Sequence, residues 1–320
     1  MATVRGVPVP VFAAAFSGLH AGEFVPPVLA TAVYLTLFWR RSRTLSRQSR
    51  PVATWRVIAF AAGVVAVAVV QLPPVDTLAD QVLVAHMAQH IVIGDLASLV
   101  IVLGLTGPMI QPLLRIRATR PVRRLTHPVV ALLLWALDLY VWHLPLLYQL
   151  AIRHDLMHAA EHACMLWFGA LLWLALIGPM PKPAWFTPGS RLVYVAGIRV
   201  IGAILGNVLI WTQTVLYPLY RSSDAARGLN PLSDQNVAGA VMMVEQIVLT
   251  ILLLAWLFYK FATESEQEQS LLDLATDRGI ELPPERAARA AAAGGAERLR
   301  RRLLADADDS RRAAPEPPSS

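Results

Sequence analysis

Residues 154–167 read HDLMHAAEHACMLW, which places His154, His158, Glu161 and His162 within nine residues at the start of an apolar run. His158 and His162 are four apart, so on a helix they share one face, with Glu161 and Met165 on the same stripe. A second pair at the same spacing, His86 and His90, opens another apolar run. Imidazole pairs from two helices, joined by carboxylate or thioether, are donors for a late first-row metal. Neutral imidazole suits copper and zinc, and methionine sulfur adds a preference for Cu(I). Three other readings fit the same residues. HAAEH matches H-x-x-E-H, a peptidase pattern of two zinc ligands and a general base, although it needs a further carboxylate ligand and an open cleft. Histidines on facing helices also ligate haem as axial pairs, but these cluster at one depth and could hold one haem at most. His86, His143 and His154 also suit plain interfacial positions among lipid head groups.

The elements that must carry these residues are membrane helices. The chain is 56% hydrophobic and 16% charged, with positive mean hydropathy, too apolar for a soluble domain. Its net charge of +6 comes from arginine clusters between apolar runs and in the tail, which suits a membrane surface and not nucleic acid. One cysteine, Cys164, excludes an internal disulfide. Apolar runs near 24–39, 54–72, 82–105, 128–144, 156–178, 192–212 and 236–261 predict an all-α, polytopic protein with seven transmembrane helices. The connections after the first and third runs carry six and five arginines, and the one after the fifth carries Lys182 and Arg191. Alternate connections are poor in basic residues. Positively charged short loops stay cytoplasmic, so the N-terminus is expected outside and the C-terminus in the cytoplasm. The domain plan is an extracytoplasmic segment 1–23, a seven-helix domain 24–261, and a cytoplasmic tail 262–320, partly helical and disordered at its end.

With that topology, seven of the eight histidines fall at the extracytoplasmic face, His20 among them, and only His127 lies inside, where Thr126-His127-Pro128 reads as a helix start. At 1.5 Å per residue, His90 and His162 sit about 10 Å below the outer boundary. Asp138, Met242 and Met243 lie at the same depth, with Glu245 about a turn deeper on the face of Met242. Cys164 points away from His162. Ionisable groups inside a membrane cost about 2.5–3.5 kcal/mol each and face a cavity or a partner. The expected metal ligands are therefore His90, His158 and His162, with His86 as a fourth or uptake ligand, His143 on the path, and Met242 or Met243 selecting the softer ion. Glu161, Asp138 and Glu245 are expected as supporting carboxylates, accepting imidazole N–H groups. Asp95 and Arg199, both roughly 20 Å deep, are expected to form a structural ion pair, with Gly202 and Gly206 permitting a close helix contact beside it.

The stretches AHMAQHIVIGDLASLVIVLGLTGPMIQPLLR and WHLPLLYQLAIRHDLMHAAEHACMLWFGALLW, within the seven-run layout, resemble the polytopic CtaG-like family of bacterial cytochrome c oxidase assembly factors. The resemblance covers roughly residues 20–260 and matches the motif histidines at His86, His90, His143, His158 and His162, with Glu161. It implies a multi-pass protein of the bacterial plasma (inner) membrane, needed to make an active haem–copper oxidase through loading or protecting copper. Its partners would be oxidase subunits and a copper donor protein, with no nucleic acid. Copper transfer is ligand exchange, so the expectation is a metallochaperone and not an enzyme. A haem-bearing redox subunit and a metal-independent scaffold are the alternatives.

Overall fold

The computed structural model describes residues 21–116, 124–180, 182–292 and 294–313. His20 and most of the N-terminal segment, like the last residues of the tail, lie outside the described residues. Every regular element among the described residues is helical. We number them α1 (Ala21–Arg47), α2 (Thr54–Val70), α3 (Pro73–Ala79), α4 (Leu83–Gly104), α5 (Gly107–Arg115), α6 (Pro128–Trp142), α7 (Pro145–Arg153), α8 (Asp155–Leu176), α9 (Pro188–Trp211), α10 (Arg221–Ala226), α11 (Pro231–Asp277), α12 (Pro284–Ala292) and α13 (Ala296–Ala313).

α4, α8, α9 and α11 are each long and apolar enough to cross a membrane. Two further spans are possible if the bent pairs α2–α3 (60°) and α6–α7 (72°) each count as one. The protein is thus a multi-pass membrane protein. The first predicted run lies in α1, which is not among these candidate spans. Prolines set both bends, with Pro73 and Pro145 at the first turns of α3 and α7. There the missing N–H is harmless and the fixed φ favours a new helix.

The chain divides into two compact units, residues 1–250 and 251–320. In the first, α8 packs on α4 and α6, α2 packs on the second half of α4, and α9 packs on α6. The α4–α8 crossing is close because Gly169 lies directly on the Gly94 carbonyl, where any side chain would collide. Small residues at such a crossing let backbones meet, which in lipid replaces the hydrophobic drive of water. α4 carries a π turn over Val92–Ala97. The Trp173 indole of α8 donates to the Asp95 carbonyl in that turn at 3.1 Å.

The two ends of this bundle are closed differently. At one, basic side chains cap helix C-termini: Arg56 donates to the carbonyls of Leu103 and Leu105 (2.7 and 3.0 Å), and Lys182 to those of Leu174 and Gly178 (2.8 and 3.1 Å). Cations suit the negative end of a helix dipole. At the other, the Asp234 carboxylate accepts the first N–H groups of α4, from Leu83 (2.7 Å) and Val84 (3.2 Å), which is the complementary anionic cap.

In the second unit, α11 does not stop where its apolar run ends but continues through glutamate- and leucine-rich sequence to Asp277. It terminates at Gly279, whose φ of +63° allows the Ile280 N–H to close back on the Ala275 carbonyl at 2.8 Å. α12 and α13 follow, and Leu271, Ala275, Leu282, Ala287, Leu299 and Leu303 form the unit's own apolar core.

Candidate metal centre

Five histidines, from two helices and one helix break, converge in the first unit. His86 and His90 come from the first two turns of α4, His158 and His162 from α8, and His143 from the break between α6 and α7. Ring centroids are 4.2 Å apart for both i,i+4 pairs. Across the helices they are 5.4 Å apart for His86–His158, 6.4 Å for His86–His162 and 5.4 Å for His90–His162. His143 stands 6.1 Å from His90. His86, His90, His143 and His162 are buried, and His158 is half-buried. Glu161, on the same face of α8, is fully buried, with Oε1 3.8 Å from His90 Nε2.

Neither nitrogen of His90 has a hydrogen-bond partner, nor has Nε2 of His143, His158 or His162, nor either carboxylate oxygen of Glu161. His86 bonds to no side chain, its one interaction of that kind being with the Ala79 backbone. Buried polar groups are almost always satisfied, and each orphan carries a penalty of about 1–3 kcal/mol. A concentration of orphans, all of ligand type, is the arrangement that a cation would satisfy. Two sets bring one donor atom from each residue within 4.8 Å of one another: His86 with His158 and His162, and His86 with His90 and Glu161. Imidazole and carboxylate bonds to such an ion are about 2.0–2.2 Å long, so modest side-chain adjustment closes either set. The donors therefore fit copper or zinc. The His143 tautomer is set by its own helix end: Nδ1 lies 2.7 Å from the Leu139 carbonyl, which also accepts the His143 backbone N–H, and Nε2 is left without a partner.

The roles within the cluster differ from those expected by depth. His86 is central among the donors, because it alone belongs to both sets. Glu161 stands among the donors and accepts no imidazole N–H among the described hydrogen bonds. Asp138 is buried beside Trp142 and within electrostatic reach of Glu161, but no histidine bonds to it among the described contacts. The methionines have apolar or amide neighbours. Met242 packs in an apolar cluster with Leu83, Met87, Ile91 and Leu209, and Met243 lies over Gly206 with its sulfur 3.8 Å from Asn207 Nδ2.

Glu245 belongs to a different group, within electrostatic reach of Asp95 and Arg199. The expected Asp95–Arg199 contact is replaced: the Arg199 guanidinium donates to Gln246 Oε1 at 2.9 Å, and no ion pair joins it to Asp95 among the described residues. A π turn widens the helix and shifts residues off the face that a 3.6-residue count assigns, and Asp95 lies in one. Gly202 and Gly206 do mark a close contact, with Gln246 and Met243 of α11.

Two features of the surroundings were not read from the sequence. Tyr148 is fully buried, its ring 5.1 Å from His86, and its hydroxyl lies 2.9 Å from that of Tyr220, which donates to the Ala79 carbonyl. The Tyr217 ring lies tilted against Tyr148 at 4.2 Å between centroids, and its hydroxyl donates to the His143 carbonyl at 2.8 Å. Exposed Asp80 lies within electrostatic reach of His158, Asp76 and Asp155, giving the half-buried histidine an acidic rim. The only available signal was the tyrosine pair in LYPLY and scattered aspartates in connections.

No curated protein and no solved structure matches the chain. A family model described as cytochrome c oxidase caa3 assembly factor (Caa3_CtaG) matches residues 32–264, which include every residue of the cluster. The chain belongs to the cytochrome c oxidase caa3 assembly factor family.

Proposed function

We propose that this assembly factor binds copper at the histidine cluster and delivers it to a maturing haem–copper oxidase. The observation that carries the reading is the convergence of buried, unpartnered imidazole nitrogens and the Glu161 carboxylate in one volume. Copper here is cargo, and its transfer is ligand exchange, so the protein acts as a metallochaperone and catalyses no bond-making step. Loose three-donor sets suit that task, since an ion held by exchangeable ligands can leave as well as arrive. The acidic rim around His158 favours approach of a cation from the donor protein.

The proposed setting is the bacterial plasma membrane, crossed seven times, with the cluster near the extracytoplasmic face and the C-terminus in the cytoplasm. Support for a first span comes from α1, whose Val28, Leu29, Val33 and Leu37 are exposed as lipid-facing residues would be. The basic caps of Arg56 and Lys182 fall on the connections assigned to the cytoplasm, as arginine-rich loops do.

The test is copper analysis of the full-length protein in detergent after anaerobic Cu(I) loading and chelator competition. Near-stoichiometric retention is expected in the parent, with loss in the His90→Ala/His162→Ala variant. Equal, weak copper in both would overturn the proposal in favour of a scaffold, and a Soret band in the protein as purified would replace copper with haem.

A further inference from the structure

The cluster offers an ion two positions and not one. The first is His86, His158 and His162, and the second is His86, His90 and Glu161. His86 is common to both, and ring contacts run from it to His90, His158 and His162 alike. No described ring contact joins His90 to His158, the histidines peculiar to each set. The one backbone interaction of His86 is with the Ala79 carbonyl, which belongs to neither set, so no bond within the cluster fixes its ring towards one of them. His143, held through Nδ1, lacks that freedom.

The two positions differ in exposure and charge. The first includes His158, which is half-buried and lies beside the exposed carboxylate Asp80, and its three donors are neutral. The second is buried at all three residues and includes a carboxylate. A cation in a low-dielectric site gains more from an anionic ligand than from a neutral one. The first position therefore suits capture, and the second suits retention.

Resting on the copper reading above, we infer that His86 is a pivot that hands a single copper ion from a capture position (His86, His158, His162) to a retention position (His86, His90, Glu161). In the hand-over the bonds to His158 and His162 break as those to His90 and Glu161 form. The ion keeps its oxidation state throughout. His86 remains bound, so the ion is never released to water or to bare hydrocarbon.

The test uses full-length protein in detergent, Cu(I) under anaerobic conditions and a colorimetric Cu(I) chelator, across His86→Ala, His158→Ala, Glu161→Gln and the His158→Ala/Glu161→Gln double variant. Each unshared single variant should keep one copper equivalent, held more weakly than in the parent. His86→Ala and the double variant should lose it. X-ray absorption gives a second readout: the parent should show mixed imidazole and oxygen ligation, and Glu161→Gln should shift to imidazole alone as the ion falls back to the first position. If His158→Ala or Glu161→Gln alone abolishes binding as fully as His86→Ala does, there is one composite site and the pivot is wrong. If His86→Ala binds like the parent, His86 is not shared and the pivot is equally wrong. Weak, equal copper in the parent and all variants would instead defeat the copper reading itself.

Discussion

Two groups of polar side chains lie among the membrane helices, and they are treated in opposite ways. Around Arg199, polarity is answered by polarity: the guanidinium meets Gln246, lies in the field of Glu245, and the π turn that holds Asp95 is tied to Trp173. Around His86, donors and acceptors converge without partners. Both groups face the same penalty for leaving water, yet only the first has internal compensation, with Glu245 Oε1 its one unpartnered buried atom among the described residues. On the copper reading proposed above, the difference separates a group that holds helices together from one prepared for an ion that arrives from outside. A polar residue inside a membrane is thus informative less by its identity than by whether its neighbours already satisfy it.

The largest effect on folding should come from the satisfied group. Arg199→Ala removes the cation that Glu245 and Gln246 face, and loss of a hydrogen bond to a charged group costs about 1.5–3 kcal/mol. The expected result is a marked fall in the thermal midpoint of the protein in detergent. Copper retention by the fraction that remains folded should be unchanged. Parent-like melting would show that the Arg199 group contributes little, and the contrast between the two regions would fail on its structural side.

The opposite sign is expected at the cluster. Glu161→Leu replaces an unpartnered buried carboxyl with an apolar chain of similar size, removing a penalty of about 1–3 kcal/mol. The metal-free variant should therefore melt higher than the parent while holding copper less tightly. That inverse movement of stability and affinity is what distinguishes a site from a structural network. A lower melting point would mean that Glu161 contributes to the fold, and that its oxygens have partners in the working protein other than an ion.

How much of this was legible follows from what helical spacing encodes. The i,i+4 pairs, their faces and their similar depths were readable, because rise and period alone fix them. The ring distances of 4.2 Å within each pair agree with that reading. Which helices touch was not readable, since it depends on the fit of Gly169 against the Gly94 carbonyl. Nor was the central position of His86. Depth placed it one turn from the centre, but rotation about the helix axis brings it between both sets. Asp95 was misassigned for a related reason, because a π turn breaks the regular count on which face assignments rest. Met242 and Met243 had the right depth, but adjacent residues of one helix point about 100° apart. Met243 accordingly lies over Gly206, while Met242 joins an apolar cluster.

The smallest effect sharpens the boundary between the two kinds of group. Tyr148 touches His86 by its ring, yet its hydroxyl is already engaged with Tyr220, so by the criterion of satisfaction it forms a wall of the site and is not a ligand. In the described network Tyr220 donates to the Ala79 carbonyl, which leaves Tyr148 to donate to Tyr220. Tyr148→Phe then removes one donor without orphaning another, at a cost of about 0.5–1.5 kcal/mol. The ring that packs on His86 is kept, so copper affinity by chelator competition should stay within about twofold of the parent, a difference of roughly 0.4 kcal/mol. A tenfold loss would bring the phenol oxygen into the donor set, and hydrogen bonding within the structure would no longer separate ligands from walls.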